Sequence, residues 1–389
     1  MKTRGLVLTG LTLLLAVCLP AASAPATDLP TALEAAAAKM IATPLLHSTS
    51  IGVIYRGKEF RIHRGELETG KGQAPDDTTI YEIGSLSKTF AGLLLAQAVL
   101  DGKVSLDDEV QRYLPDDYPA LHEKGRAVLV RHLLTHTSTL PGMLPLPVNT
   151  LLDDFTAHST PARLNMAYAG YDQKAFWRDL HQVRLGQGPL GKDYAYSSVG
   201  TELVAHILET VYQRDYEALL KDYLARHAGM RDTRLRLDAA ALPRLAPGYH
   251  SDNPVATTPM PQLPWGAAGN LKSTLPDMLR YLRLQLGTDA AVRISHQPLL
   301  RFADDFSIAY FWNIGQDRQL GSFYRHHGGV PRAQSYLYLV PKYELGVFII
   351  TNQSGADTAR AMEAALEDVF DTVEVLERQR AAAPAARPD

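Results

Sequence analysis

Ser85-Leu86-Ser87-Lys88 opens an apolar run that continues through Phe90, Leu93, Leu94, Leu95 and Val99 to Leu100. A serine hydroxyl is a poor nucleophile unless a base stands beside it. An ammonium withdrawn from water loses affinity for its proton and can become that base. If a helix starts at Ser85, Lys88 lies one turn later on the same face. The free N–H groups at such a helix start can also meet a developing oxyanion. Ser85 is the one serine of the chain with a lysine three residues later. The competing reading is an N-capping serine followed by a solvated lysine.

Two further segments carry compatible chemistry. Tyr194-Ala195-Tyr196-Ser197-Ser198-Val199-Gly200 precedes a helical pattern from Glu202. Here Tyr196 and Ser198, two apart in a loop, can face one cleft. Tyr196 can relay a proton between nucleophile and leaving group once a nearby cation lowers its pKa. A core tyrosine with an N-capping serine is the alternative. The other segment, Arg325-His326-His327-Gly328-Gly329-Val330, leads into a strand over Gln334–Val340. A polar donor followed by glycines at a sheet edge lets a substrate lie close to the backbone, and an N–H there can serve as a second oxyanion donor. The alternative is a plain glycine turn with two surface histidines. His132 and His136, four apart, lack the glutamate of H-E-x-x-H and read as a helix-packing pair. A G-x-S-x-G elbow fails because Ser87 stands where its second glycine belongs.

These segments lie in a chain of strands at both ends and helices between. Leu29–Ile41 reads as a first helix, and Ser50–Tyr55 with Glu59–Gly65 as a hairpin across Arg56-Gly57-Lys58. The all-round apolar Ser85–Leu100 run predicts a central helix, stopped by Asp101-Gly102. From about Ser105 to Pro264 prolines punctuate amphipathic stretches such as Glu202–Tyr212 and Tyr216–His227. Strand signals return at Ser307–Trp312, Gln334–Val340 and Gly346–Thr351, before a last helix over Asp357–Glu377. The expected fold is α+β: an antiparallel sheet flanked by helices, with an inserted all-helical lobe. The sheet region is expected at about 28–104 and 265–380, the lobe at about 105–264, and an Ala/Pro-rich tail at 381–389.

Composition narrows the function classes. The 389 residues are 46% hydrophobic and 21% charged, with a net charge of −3. No basic stripe or acidic run points to nucleic acid as a partner. Lys2 and Arg4, an apolar run over Gly5–Leu19 and the small residues Ala22-Ser23-Ala24 and Ala24-Pro25-Ala26 predict a signal peptide over 1–26. Cleavage after Ala26 is expected, giving an exported, periplasmic or secreted chain with no transmembrane span once mature. An uncleaved anchor is the alternative. The single cysteine, Cys18, lies in that segment. The larger Val17 before it argues against a lipobox. The mature chain would then hold no disulfide, thiolate nucleophile or cysteine metal site.

Taken in order, S-x-x-K, Y-x-S and H-x-G-G resemble the serine β-lactamase and penicillin-binding group, above all its class C branch with related D-Ala-D-Ala carboxypeptidases and esterases. Tyr81-Glu82-Ile83-Gly84, Leu133–Ser138, Ala228–Thr233, Gly269–Thr274 and the Gly346–Asn352 strand are similar to family text as well, so the likeness spans about residues 50–355. The resemblance implies a β-lactamase/transpeptidase-like fold and two-step acyl transfer to Ser85, with Lys88 and Tyr196 handling protons. Ser198, His326, His327, Gly328 and Gly329 would line the substrate and oxyanion site, Gly329 donating an N–H beside that of Ser85. The double histidine leaves open whether His326 or His327 faces the cleft. No cofactor and no metal are implied. The substrate would be a small molecule or peptide: a peptidoglycan peptide, a β-lactam or an ester. Ser198 replaces the common Asn and shortens the reach to a substrate amide. His326 replaces a permanent cation, with Arg325 or Arg332 as candidates to restore the charge. Both departures fit a peptidase or esterase better than an efficient β-lactamase. A penicillin-binding sensor without turnover is the non-enzymatic alternative.

Overall fold

The computed structural model describes residues 28–122 and 125–382. The signal segment, Cys18 and residues 383–389 of the expected tail lie outside them. The strands are β1 (Ser48–Tyr55), β2 (Lys58–Gly65), β3 (Tyr81–Glu82), β4 (Gly248–Tyr249), β5 (Ala256–Thr257) and β6 (Lys272–Ser273). They continue with β7 (Leu300–Ala303), β8 (Phe306–Ala309), β9 (Trp312–Asp317), β10 (Gly321–Val330), β11 (Ala333–Val340) and β12 (Leu345–Thr351). Eight of them form one antiparallel sheet in the order β2-β1-β12-β11-β10-β9-β8-β7. The first and last strands of the chain thus meet, Ile51 opposite Ile349 and Val53 opposite Val347.

The hairpin between β1 and β2 turns on Arg56 and Gly57, both at positive φ (48° and 76°), the twist a two-residue turn requires. Arg56 also pairs with Glu377 at 2.7 Å, fastening the hairpin to the last helix. Side chains alternate across β12, and both faces are covered. Val347 and Ile349 pack under the Leu29–Ile41 and Ala356–Ala382 helices, whereas Phe348 and Ile350 face the Leu275–Leu286 helix and the central helix. No helix among the described residues is long and apolar enough to cross a membrane.

The central helix is α-helical over Ser87–Leu100, and its first ten residues are all buried. Phe90 stacks on Tyr281 with ring centroids 3.9 Å apart. Gly92 touches the β8–β9 turn so closely that a Cβ there would stand 2.4 Å from the Tyr310 carbonyl oxygen.

Three sequence expectations change. The helix does not begin at Ser85 as an α-helix, because Gly84–Leu86 form a 3-10 turn ahead of it. Ser307–Trp312 is not one strand. Tyr310 and Phe311 make the turn between β8 and β9, their buried rings sitting in the core where strand-forming aromatics would also be expected. The last helix runs on to Ala382, beyond Glu377 and into the first two residues of the expected tail.

The Gly92 contact gives a stability test. Gly92→Ala places a methyl against backbone that cannot rotate away, and should destabilise the fold by about 1–3 kcal/mol. Equilibrium denaturation of the two proteins measures it.

Candidate active site

The 3-10 turn that carries Ser85 is held by backbone and by small hydroxyls. Ile83 N–H donates to the Leu271 carbonyl at 3.0 Å, and Ser335 Oγ donates to the Ile83 carbonyl at 3.1 Å. Ser87 Oγ donates to the Gly84 carbonyl at 2.6 Å and accepts from Leu271 N–H at 3.1 Å. The turn presses on the end of β10. A Cβ on Gly84, whose φ is +57°, would lie 2.8 Å from the Gly329 nitrogen, and one on Gly328 would lie 2.1 Å from the Ile83 oxygen. Both positions require glycine.

Ser85 Oγ accepts a hydrogen bond from the Tyr196 hydroxyl at 2.8 Å, and Lys88 Nζ lies 3.3 Å from it. Lys88 is 0% exposed. Its Nζ donates to the Ala268 carbonyl at 2.6 Å and stands 4.8 Å from the centre of the Tyr196 ring. Burial pushes the Lys88 pKa down to about 7, with Glu202 pulling in the opposite direction. Near neutral pH a large share of this amine is therefore unprotonated, with a lone pair free for the Ser85 proton.

Glu202 was not singled out in the sequence, where it reads as one residue of an amphipathic helix. Its buried carboxylate accepts from three backbone N–H groups: Trp265 at 2.7 Å, Gly266 at 3.0 Å and Ala268 at 2.8 Å. It thereby shapes the loop whose Ala268 carbonyl receives Lys88. His136 was also missed as a site residue. It is buried, its Nδ1 accepts from Ser197 N–H at 3.2 Å, and its ring lies 4.4 Å from that of Tyr196. The expected His132/His136 helix face does not form. The helix ends at Leu134, and His136 sits beyond it at φ 55°. No residue pattern near Glu202 signals its role. The Leu133–Ser138 family-like segment was the available signal for His136.

Tyr196 departs from expectation in its acidity. No cation lowers its pKa: removal from water raises it, and the bond with Ser85 offsets only part of the rise. The residue keeps 40% of its surface open, so water moderates the shift. The phenol is protonated at neutral pH either way.

The third segment lies on β10 itself. β9 pairs with β10 only as far as Arg325, so the His326–Val330 edge has no strand on that side. The two-residue turn at Pro331-Arg332 makes Val330 and Ala333 the hydrogen-bonded closing pair. Alternation then turns the Gly329 N–H away from β11 and toward the open edge, beside the Ser85 turn. Gly328 faces the turn without a side chain. His326 is buried, and burial together with Lys88 pushes its pKa down to about 3. Its Nδ1 donates to the His327 carbonyl at 2.8 Å. His327 is exposed on the opposite face, 4.7 Å from the Tyr336 ring, yet both histidines border the same cavity.

Ser198 lies at the start of the Ser198–Tyr212 helix and borders a second cavity beside Ser85, while Ser197 is the N-cap. Neither arginine restores a charge to the cleft. Arg332 is buried against Glu82 at 3.2 Å, and Arg325 is an exposed residue outside both cavities.

A family model described as Beta-lactamase matches residues 34–370. The chain belongs to the Beta-lactamase family. It is 28% identical over 241 residues to a β-lactamase of Providencia stuartii, covering 61% of this chain and 55% of that protein. It is 22% identical over 324 residues to the D-alanyl-D-alanine-carboxypeptidase/endopeptidase AmpH of Escherichia coli K12, covering 78% and 79%. The chain thus spans little more than half of the first relative. A solved β-lactamase/D-alanine carboxypeptidase of Yersinia pestis superposes with a TM-score of 0.74 at 18% identity, over 88% of this chain and 98% of that one. The family fold, an antiparallel sheet with helices against it, is the one described above.

The Lys88–Glu202 arrangement sets a pH dependence. If the Lys88 amine must be unprotonated, kcat/KM rises with pH through about 7 and levels off above it. Glu202→Gln removes the group that raises the Lys88 pKa. The rising limb should move to lower pH, and the plateau should fall severalfold as the Ala268 loop loosens. A pH series of kcat/KM on both proteins measures the two effects.

Proposed function

We propose that the protein is a serine hydrolase that works through an acyl-enzyme on an amide, lactam or ester carbonyl. The observation that carries this reading is the contact set around Ser85 Oγ: a buried lysine whose pKa is near 7 on one side and a protonated tyrosine on the other.

Lys88 takes the Ser85 proton as Oγ bonds to the substrate carbonyl carbon. The oxyanion so formed accepts from the N–H groups of Ser85 and Gly329, each contributing about 3 kcal/mol to the transition state. When the carbon–leaving-group bond breaks, the Tyr196 hydroxyl gives the leaving atom its proton and is refilled from the Lys88 ammonium. Water then attacks the acyl-enzyme and passes a proton to Lys88. Ser85 leaves with a proton from the same pair, and the carboxylic acid departs. Glu202 and His136 touch no reacting atom in this scheme. They position Ala268 and Tyr196, and through them the proton path. Ser198, His326 and His327 line the space the substrate fills.

The 1–26 pattern supports export, so the enzyme would work in the periplasm or outside the cell. Its partners are then small molecules or peptides that reach the cleft from that side.

Ser85→Ala should lower kcat/KM on a p-nitrophenyl ester by at least about 10³-fold. Intact-protein mass spectrometry of quenched wild-type reactions should show one acyl group, absent from the variant. A variant as active as wild type would remove Ser85 from the mechanism. An adduct that never turns over would replace the hydrolase reading with that of a binding protein.

A further inference from the structure

Resting on the hydrolase reading, we propose that the substrate is an uncharged carboxylic ester with an apolar group on each side of its carbonyl, and that the cleft selects against compounds bearing a carboxylate. The inference starts from the shape of the cleft. Two cavities, of about 530 Å³ and 430 Å³, meet at Ser85, Phe155, Tyr196 and Gly329. A carbonyl at Ser85 Oγ therefore sends one arm into each. Each volume is in the range of ordinary ligand pockets and leaves room for an acyl or alkoxy arm.

The charge in these cavities is of the wrong sign for an anion. Among the described residues, no Lys or Arg side chain lines either one, and Asp153 puts a carboxylate in the smaller. The larger holds four histidines; burial holds His136, His250 and His326 below the ordinary histidine value, while the exposed His327 shifts the same way with water moderating it. His326 spends its Nδ1 proton on the His327 carbonyl, so the neutral ring keeps an unprotonated Nε2, which repels a carboxylate. His250 has both nitrogens engaged, with the Ser354 hydroxyl at 2.9 Å and the Phe155 carbonyl at 2.8 Å.

The remaining donors around the larger cavity are neutral, among them the amides of Asn313 and Gln334 and the buried His136 Nε2–H, and its one positive end is the N-terminus of the Ala356–Ala382 helix. That end is already answered. The Asp252 carboxylate lies so close to Gly355 that a Cβ there would meet it at 2.4 Å, and it accepts from Thr358 Oγ1 at 3.4 Å. The helix face toward the cavity offers Ala356 and Ala359, while Arg360 turns away to Asp357.

The smaller cavity disfavours a peptide arm as well. Met143, Leu152, Leu164, Met260, Leu263 and Val330 line it with apolar side chains. Its one amide side chain, Asn149, is consumed locally: Oδ1 accepts from Met143 N–H, and Nδ2 donates to the carbonyls of Met143 and Leu146, all at 2.9 Å. Each peptide unit would bring an N–H and a C=O with few partners, a cost that a hydrocarbon arm avoids.

The test uses the full chain and three esters, with rates corrected for spontaneous hydrolysis. 4-Nitrophenyl hexanoate is neutral, mono-4-nitrophenyl adipate carries a carboxylate on the acyl arm, and 3-carboxy-4-nitrophenyl hexanoate carries one on the leaving arm. Both anionic esters should show kcat/KM at least about tenfold below the neutral one. An N-acyl-D-Ala-D-Ala peptide should be slower still. Ala359→Arg, which puts a cation into the larger cavity, should raise the anionic-to-neutral ratio for at least one ester. Equal or faster turnover of the anionic esters or the peptide by wild type overturns this proposal and leaves the hydrolase reading intact, as does an unchanged ratio in Ala359→Arg. No Ser85-dependent turnover of any of the four compounds defeats the hydrolase reading and this one with it.

Discussion

The site depends on one buried amine. Lys88 touches the Ser85 hydroxyl, the Tyr196 ring and the Ala268 carbonyl, and the loss of its hydration shell lowers its pKa to about 7. Glu202 is close enough to oppose that fall but not to cancel it. The reason lies in how Glu202 is used. A carboxylate paired directly with Lys88 would hold the amine charged. Here both carboxylate oxygens are bound by N–H groups of the Trp265–Ala268 loop, and what reaches Lys88 is the Ala268 carbonyl, a dipole in place of a full charge. Burial therefore wins, and the amine can act as a base near neutral pH.

The rest of the fold brings three distant stretches to that amine. The central helix delivers Lys88 from inside the protein, and the 3-10 turn before it holds Ser85 at the helix mouth. Sheet architecture supplies the other wall. Because β9 stops pairing at Arg325, the last residues of β10 keep an open edge, and Gly84 and Gly328 remove the side chains that would hold the turn away from it. Tyr196 arrives from the loop before the Ser198–Tyr212 helix, with the His136 ring against its own. The pairing of β1 with β12 brings strands from both ends of the described chain into the sheet that carries β10.

What could be read beforehand followed from locality. Ser85 and Lys88 are three residues apart, and helical geometry alone relates them. The first helix, the β1–β2 hairpin and the Tyr216–His227 helix are also local patterns, and the structure has them at or within two residues of the expected limits. Tyr196 and the 326–329 segment were recognisable by residue type and by family likeness, since neither spacing nor periodicity links them to Ser85. Glu202 was invisible because it acts on backbone N–H groups 63 to 66 residues away. The acidity of Tyr196 was misjudged for a related reason. That expectation needs a cation to act on the phenol, whereas removal from water is the leading influence on it and raises its pKa. Tyr310 and Phe311 misled in another way, because buried aromatics suit a strand and a core-facing turn equally well.

The same coupling links the base to the charge of whatever enters the cleft. An anion bound next to Lys88, in surroundings with little water to screen it, would favour the ammonium and raise the pKa that burial has lowered. The base would then be protonated when the substrate needs it free. A cation placed in the cleft to hold that anion would offset the effect, and a lysine or arginine there is the usual remedy. In this chain His326 is neutral, Arg332 is committed to Glu82, and Asp153 and Asp252 add negative charge around the cavities. A neutral substrate leaves the Lys88 balance undisturbed. The cleft lining and the buried amine are thus two parts of one electrostatic arrangement, and the proposed neutral substrate is the one that leaves undisturbed a base lowered by desolvation against the pull of Glu202.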